Sequence, residues 1–186
     1  MTTTNQTKDV QPIRNKQLLD DMKWSLKKWC SERDYMLFLI GINTGLRVSD
    51  LLRLKTVDMY KKKKVIIKEG KTKKPRTIQL NNIYDEVQEY IKGSDSVWMF
   101  PSRKGDKPIS TTQAYRQLNK AATMVDIDEG IGTHTMRKTF GYWHYKQFKD
   151  VAELQMILNH SHPKITLKYI GITDEQIENS LNNFVL

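Results

Sequence analysis

Apolar residues return every three or four positions between Leu18 and Trp29, so Leu18, Leu19, Met22, Leu26 and Trp29 share one side of a helix predicted over Lys16 to Ser31. The next stretch, Glu32 to Thr44, is apolar almost all round (Tyr35, Leu37, Phe38, Leu39, Ile40, Ile42). That pattern predicts a core helix stopped at Thr44-Gly45. Ser49 to Lys55 opens another helix with Leu51, Leu52 and Leu54 inward. The period then changes. Val65-Ile66-Ile67 and Thr77 to Leu80 read as two short strands, and the polar Glu69 to Pro75 between them suits a hairpin loop. Helical spacing returns over Asn82 to Lys92, and Val97 to Pro101 is an apolar piece halted by proline. Ser110 is placed to cap a helix running to about Val125. Further helices are predicted over His134 to Phe148, from an Asp150 cap to Asn159, after Pro163, and over Glu175 to Phe184. The sum is a mainly α fold with one small antiparallel sheet (α+β). Residues 1–14 form a polar tail, residues 15–172 a single domain, and residues 173–186 a tail helix.

Composition narrows the partner. The 186 residues suit one domain, with 38% hydrophobic and 28% charged positions. A net charge of +10 favours a polyanion. The positive residues crowd together at Lys61 to Lys64, Lys68, Lys71, Lys73, Lys74 and Arg76. Nucleic acid is preferred to a membrane, because no 18-residue apolar run and no strongly basic amphipathic helix is present. A lone cysteine, Cys30, excludes an intramolecular disulfide framework and a thiolate metal site. The polar N-terminus carries no signal peptide, so a reducing cytoplasm is expected.

Five short segments carry the chemistry: Thr44-Gly-Leu-Arg-Val-Ser-Asp-Leu-Leu52, Gly70-Lys-Thr-Lys-Lys74, Thr133-His-Thr-Met-Arg-Lys-Thr-Phe140, Leu158-Asn-His-Ser-His162 and Tyr169. This ordered set resembles the catalytic domain of the tyrosine recombinase (phage integrase) family, over about residues 30 to 172. The resemblance implies a catalytic set of Arg47, Lys71, His134, Arg137, His160 and Tyr169, with Tyr169 as nucleophile. Arg47 and Arg137 would hold the non-bridging phosphate oxygens, to which bidentate guanidinium donors are suited. Lys71 on the hairpin turn would protonate the departing 5′-oxygen, although Lys73 or Lys74 could be the residue concerned, or all three could be plain phosphate contacts. His134, one helical turn from Arg137, could hydrogen-bond a phosphate oxygen or accept the tyrosine proton. His160 would donate to a non-bridging oxygen. Asp50 is either an orienting acid or a first-turn helix acid favoured by the macrodipole. Lys73, Lys74 and Arg76 are expected at DNA. His144 and His162 are expected to have structural or surface roles, and no spacing of histidines gives three convergent ligands for a metal site.

The implied activity is site-specific cleavage and rejoining of DNA through a 3′-phosphotyrosine, with no cofactor and no metal. The implied partners are double-stranded DNA and other copies of the chain in a tetrameric synapse, with the tail helix docking in trans. A bacterial or phage-encoded cytoplasmic setting would follow. Two alternatives share the scaffold: a non-catalytic DNA-binding regulator, and a type IB topoisomerase-like nicking and closing enzyme. Two departures from the family pattern stand out. Family members commonly carry His after the second arginine, where this chain has Lys138. They usually also carry an N-terminal helical domain that clamps the opposite DNA face, which implies weak autonomous site recognition here.

Overall fold

A computed structural model describes residues 10–127, 130–172 and 180–185. Helix α1 (Lys16–Ser25) is capped by the Asn15 side chain and continues into a single π-helical turn, Leu26–Cys30. The wider turn breaks the 3.6-residue phase. Leu26 stays buried, but Trp29 is rotated to the surface instead of facing inward as its spacing predicts. Helix α2 (Glu32–Thr44) follows from a Ser31 cap and is the spine of the molecule, buried from Asp34 to Gly41. It ends at Gly45, whose φ of 61° is left-handed backbone that costs glycine little.

The helix expected over Ser49 to Lys55 is shorter. Helix α3 (Val48–Leu51) is a single turn, and Lys55 leaves it to bridge to Trp98 before α4 (Thr56–Met59). Strands β1 (Lys64–Lys68) and β2 (Pro75–Gln79) pair antiparallel with Ile66 opposite Thr77. A 3-10 turn, Asn81–Ile83, leads into α5 (Tyr84–Lys92). Helix α6 (Thr111–Thr123) opens with a reciprocal capping box between Ser110 and Gln113. Helix α7 (Thr135–Phe148) packs along α2, and α8 (Val151–Ile157) and α9 (Pro163–Ile170) close over its far side. The fold is mainly helical with one two-stranded antiparallel sheet, as the periodicity predicts.

One large core gathers α1 to α7 and both strands around Phe38, Met36, Leu51 and Met136. A smaller cluster of Leu154, Leu158 and Ile170, with Phe140, Leu167 and Tyr169 against it, lies between α7, α8 and α9. Residues 10–14 are not the free tail that their polarity suggests. Ile13 is fully buried, its amide donates to Thr139 Oγ1 at 2.9 Å, and its carbonyl accepts from Trp143 Nε1 at 2.9 Å. Gln11 N donates to Gly130 O at 2.9 Å. Polar composition therefore hides a strap held by two adjacent buried residues, Pro12 and Ile13, and by satisfied backbone groups. Residues 173–179, which hold the first half of the helix expected over Glu175 to Phe184, lie outside the described residues; Leu181 and Phe184 are exposed. Among the described residues no helix is long and apolar enough to cross a membrane.

Ile13→Ala is expected to lower the free energy of unfolding by about 2–5 kcal/mol, as for other buried aliphatic truncations. Denaturant titration checks this; an unchanged midpoint and slope would mean that the strap does not dock in solution.

Candidate active site

The site forms where the C-terminal end of α2, the β1–β2 turn, the start of α7 and the α8–α9 connection meet. The αL turn at Gly45 reverses the chain so that Arg47 caps α3 from a half-buried position. No side chain fits at Gly45, because a Cβ there would run into the Phe140 ring on α7. Close approach of α2 and α7 is what brings Arg47 and Arg137 together.

Arg137 is 2% exposed, and its guanidinium spans two helix ends. Nη1 donates to Gly45 O at 2.6 Å, and Nη2 donates to Leu158 O at 2.5 Å. The last carbonyls of a helix lack partners and carry the negative end of its dipole, so they hold a cation well. Burial, then the charge of Arg47, pulls the Arg137 pKa down to about 10, which still leaves it cationic at neutral pH.

Arg76 was expected at DNA, and the structure places it elsewhere. It is 7% exposed, with Nη2 on Thr44 O at 2.5 Å and Nη1 within reach of Glu69 Oε1 at 3.2 Å and Gly45 O at 3.4 Å. A guanidinium so engaged and buried beneath the hairpin is turned into the protein. Strand alternation carried the signal: Arg76 shares its face with Ile78, which packs inward. Lys71, Lys73 and Lys74 are exposed around the turn, as expected.

Glu69, which the sequence reading missed, is the counter-ion of the site. It is fully buried. Its carboxylate accepts from Thr72 Oγ1 (2.7 Å), Asn159 Nδ2 (2.9 Å) and Arg76 Nη1 (3.2 Å), and it lies 3.2 Å from Arg47 Nη1. Burial alone would raise its pKa; the three hydrogen bonds and the Arg47 charge outweigh that and draw it to about 2. Arg47 Nη1 is close to Glu69 but not aligned for a hydrogen bond, so this buried donor is unsatisfied. Asp50 is buried and accepts from Gly70 N at 2.8 Å and from Arg53 Nη2 at 2.6 Å. It thus fixes the backbone next to Lys71.

Tyr169, near the end of α9, points its phenol at His134. The hydroxyl lies 3.2 Å from His134 Nδ1, and the His160 ring stands edge-on to Tyr169 with centroids 5.0 Å apart. His160 Nδ1 is 3.1 Å from Thr166 Oγ1, a fully buried hydroxyl that sets the ring's orientation. Burial, followed by the charges of Arg137 and Arg47, lowers the His160 pKa to about 4. Burial and then Arg137, Lys138, Arg47 and Lys71 lower that of His134. Both imidazoles are therefore neutral at pH 7. Burial raises the Tyr169 pKa, against the pull of Arg137 and Arg47, so the phenol needs a proton acceptor to become a nucleophile. The structure brings together Arg47, His134, Arg137, His160 and Tyr169, and holds Lys71 near enough for its charge to act on His134. Elsewhere, His162 caps α9 and His144 lies between Phe140 and Phe148.

The sequence profile of the phage integrase family matches residues 11–176. The chain belongs to the phage integrase family. Its relatives include a probable integrase/recombinase, YoeC, of Bacillus subtilis (strain 168), 47% identical over 169 residues that cover 89% of this chain and 92% of the relative. A tyrosine recombinase of Agathobacter rectalis is 29% identical over 87% of this chain, which spans only 55% of that protein. Among solved structures, XerA recombinase superposes with a TM-score of 0.74 at 18% identity, over 95% of this chain and 67% of XerA. The catalytic domain of bacteriophage HP1 integrase gives 0.63 at 20% identity, over 94% and 95%. The fold is thus that of an integrase catalytic domain.

Because His160 is buried among guanidinia, its NMR titration in the DNA-free protein should have a midpoint near 4. A midpoint above 6 would contradict the geometry given for the site.

Proposed function

We propose that this integrase-family domain cleaves and rejoins DNA at defined sites, with Tyr169 as nucleophile and without metal or ATP. The observation that carries the reading is the phenol of Tyr169, 3.2 Å from His134 Nδ1 and within the field of the half-buried Arg47, whose Nη1 has an unmade hydrogen bond. Such a cluster holds an excess of positive charge that a phosphodiester would complete. Arg137 is already fixed by two helix ends, and Arg47 by Glu69, so little reorganisation is needed as charge develops on the non-bridging oxygens.

In the reaction the Tyr169 oxygen attacks phosphorus as its proton passes to His134 Nδ1, in the tautomer whose other nitrogen carries the hydrogen. The Tyr169 O–P bond forms and the P–O5′ bond breaks. The departing 5′-oxygen takes a proton from Lys71, whose turn Asp50 holds through Gly70. His160 donates to a non-bridging oxygen. Religation runs the same steps backwards with an incoming 5′-hydroxyl, so the phosphodiester energy is kept in the phosphotyrosine. Lys73 and Lys74 contact the backbone phosphates. XerH recombinase, of the same fold, has been solved on its difH DNA in a post-cleavage complex, with a TM-score of 0.72 at 19% identity over 94% of this chain and 54% of XerH. For this chain the partners are duplex DNA and further copies of itself in a synapse. The exposed Leu181 and Phe184 suit a C-terminal segment that docks on a neighbouring copy.

A nicked suicide duplex from the genomic neighbourhood tests the reading on a denaturing gel. The parent protein should form a covalent adduct that chelator does not affect, and Tyr169→Phe should bind the duplex but form none. Lys71→Ala should slow adduct formation by about 10²-fold or more, within the range for a general acid. It should recover on a duplex with sulfur in place of the scissile 5′-oxygen, because a thiolate leaves without protonation. An adduct with Tyr169→Phe, or a reaction that needs a divalent ion, would overturn the proposal.

A further inference from the structure

The reaction just proposed leaves Lys138 without a role, although Lys138 is where the sequence departs from its family's habit. Its ammonium is half-buried and has two neighbours. It donates to the carbonyl of Val10 at 2.7 Å, and it lies over the Tyr169 ring at 5.5 Å from the centroid. That ring is otherwise bounded edge-on by His160 at 5.0 Å and by His134 at 6.3 Å. Lys138 therefore lies over a ring that also meets both imidazoles of the site and packs on the Leu154–Leu158–Ile170 cluster.

The Val10 carbonyl is itself held in place. It belongs to the strap that Ile13 buries, and Gln11 N is bonded to Gly130 O. The Val10 side chain lies against Gly132, two residues before His134, where a Cβ would come within 2.7 Å of Val10 Cγ2. The strap thus touches the loop that delivers His134 as well as the lysine that covers Tyr169. A cation over an aromatic face is worth more when it is withdrawn from water, and its own unshared donors must be satisfied for that burial to be tolerated. The Val10 carbonyl meets that need.

We propose that Lys138, anchored on the Val10 carbonyl, is a positioning residue that holds the Tyr169 ring against His134, so that docking of residues 10–14 is a condition for a poised nucleophile. The inference deepens the reading of the site as a DNA-cleaving one and rests on that reading for its kinetic consequence. Its second consequence is electrostatic. His134 faces Tyr169 from α9, Arg137 and Lys138 on its own helix, Arg47 from the α2–α3 connection and Lys71 from the hairpin turn. The Lys138 charge is one of the four that help keep His134 unprotonated and able to accept the phenol's proton.

Lys138→Met keeps the aliphatic stem and removes the charge, whereas Lys138→Arg keeps a cation. On the nicked duplex, Lys138→Met should slow adduct formation by about 5–30-fold, the range for one desolvated cation–π contact, while DNA affinity is nearly unchanged. The acid limb of its pH–rate profile should move to higher pH. Lys138→Arg should recover most of the rate and restore the profile. A chain lacking residues 1–10 loses the Val10 carbonyl and should be slowed similarly. Combining that truncation with Lys138→Met should add little further, since both remove one device. Additive losses, or an unmoved pH profile, would overturn the proposal. In the DNA-free protein, Lys138→Met should raise the His134 titration midpoint and speed the flipping of the Tyr169 ring, both read by NMR, and Lys138→Arg should do neither. This second reading separates the two ideas. If the parent protein forms no adduct, the recombinase reading falls and NMR alone decides the role of Lys138. If the adduct forms but Lys138→Met leaves both NMR signals unchanged, only the positioning role falls.

Discussion

Two guanidinia share one buried carboxylate beside a third that is held by helix ends, and the rest of the site depends on that arrangement. Arg47, Arg76 and Arg137 converge where α2 ends, with Glu69 as the counter-ion of the first two. Isolated buried charges of this kind would be prohibitive. They are tolerated because the surroundings are oriented: Thr44 O, Gly45 O and Leu158 O are helix-terminal carbonyls that need donors, and the guanidinia supply them. The same bonds tie together α2, β2, α7 and α8. Removing a member would therefore loosen the fold and the site together.

Glu69 extends the network in two directions. Through Thr72 and its own backbone bonds to Lys73 and Lys74 it shapes the turn that carries Lys71. Through Asn159 it reaches the residue before His160. The element that would donate a proton to the leaving group and the element that would hold the phosphate are fastened to one carboxylate. Asp50 adds a second fastening, through Gly70. Two buried polar atoms of this network, Arg47 Nη1 and Asp50 Oδ2, have no hydrogen-bond partner.

Periodicity and short motifs made most of the architecture legible. The limits of α2, the hairpin and the caps at Ser110 and Asp150 follow from local rules, and local rules are readable one residue at a time. Arg47, Lys71, His134, Arg137, His160 and Tyr169 were legible as an ordered set. Glu69 was not, because a glutamate before a lysine-rich turn looks solvated; its partners, Arg47 and Asn159, are 22 and 90 residues away in sequence. Arg76 was misread because the charge of the cluster outweighed the strand's alternation. The strap over residues 10–14 escaped because two adjacent buried residues, Pro12 and Ile13, make no period, and the outward turn of Trp29 escaped because a π turn leaves no mark in composition.

The claim that Glu69 holds the cage together is tested most directly by the pH dependence of stability in the parent protein and in Glu69→Gln. A carboxyl drawn down to about 2 in the folded state, from an ordinary value near 4.5, stabilises the fold fully above the unfolded value and loses that contribution as pH falls towards 2. At about 1.4 kcal/mol for each pH unit of that descent, the contribution is about 3 kcal/mol. Unfolding free energies measured from pH 7 to pH 2 should show a gap between the two proteins that is constant down to about pH 5 and then narrows steadily. A gap that keeps its size to pH 2, or no gap at neutral pH, would contradict the account.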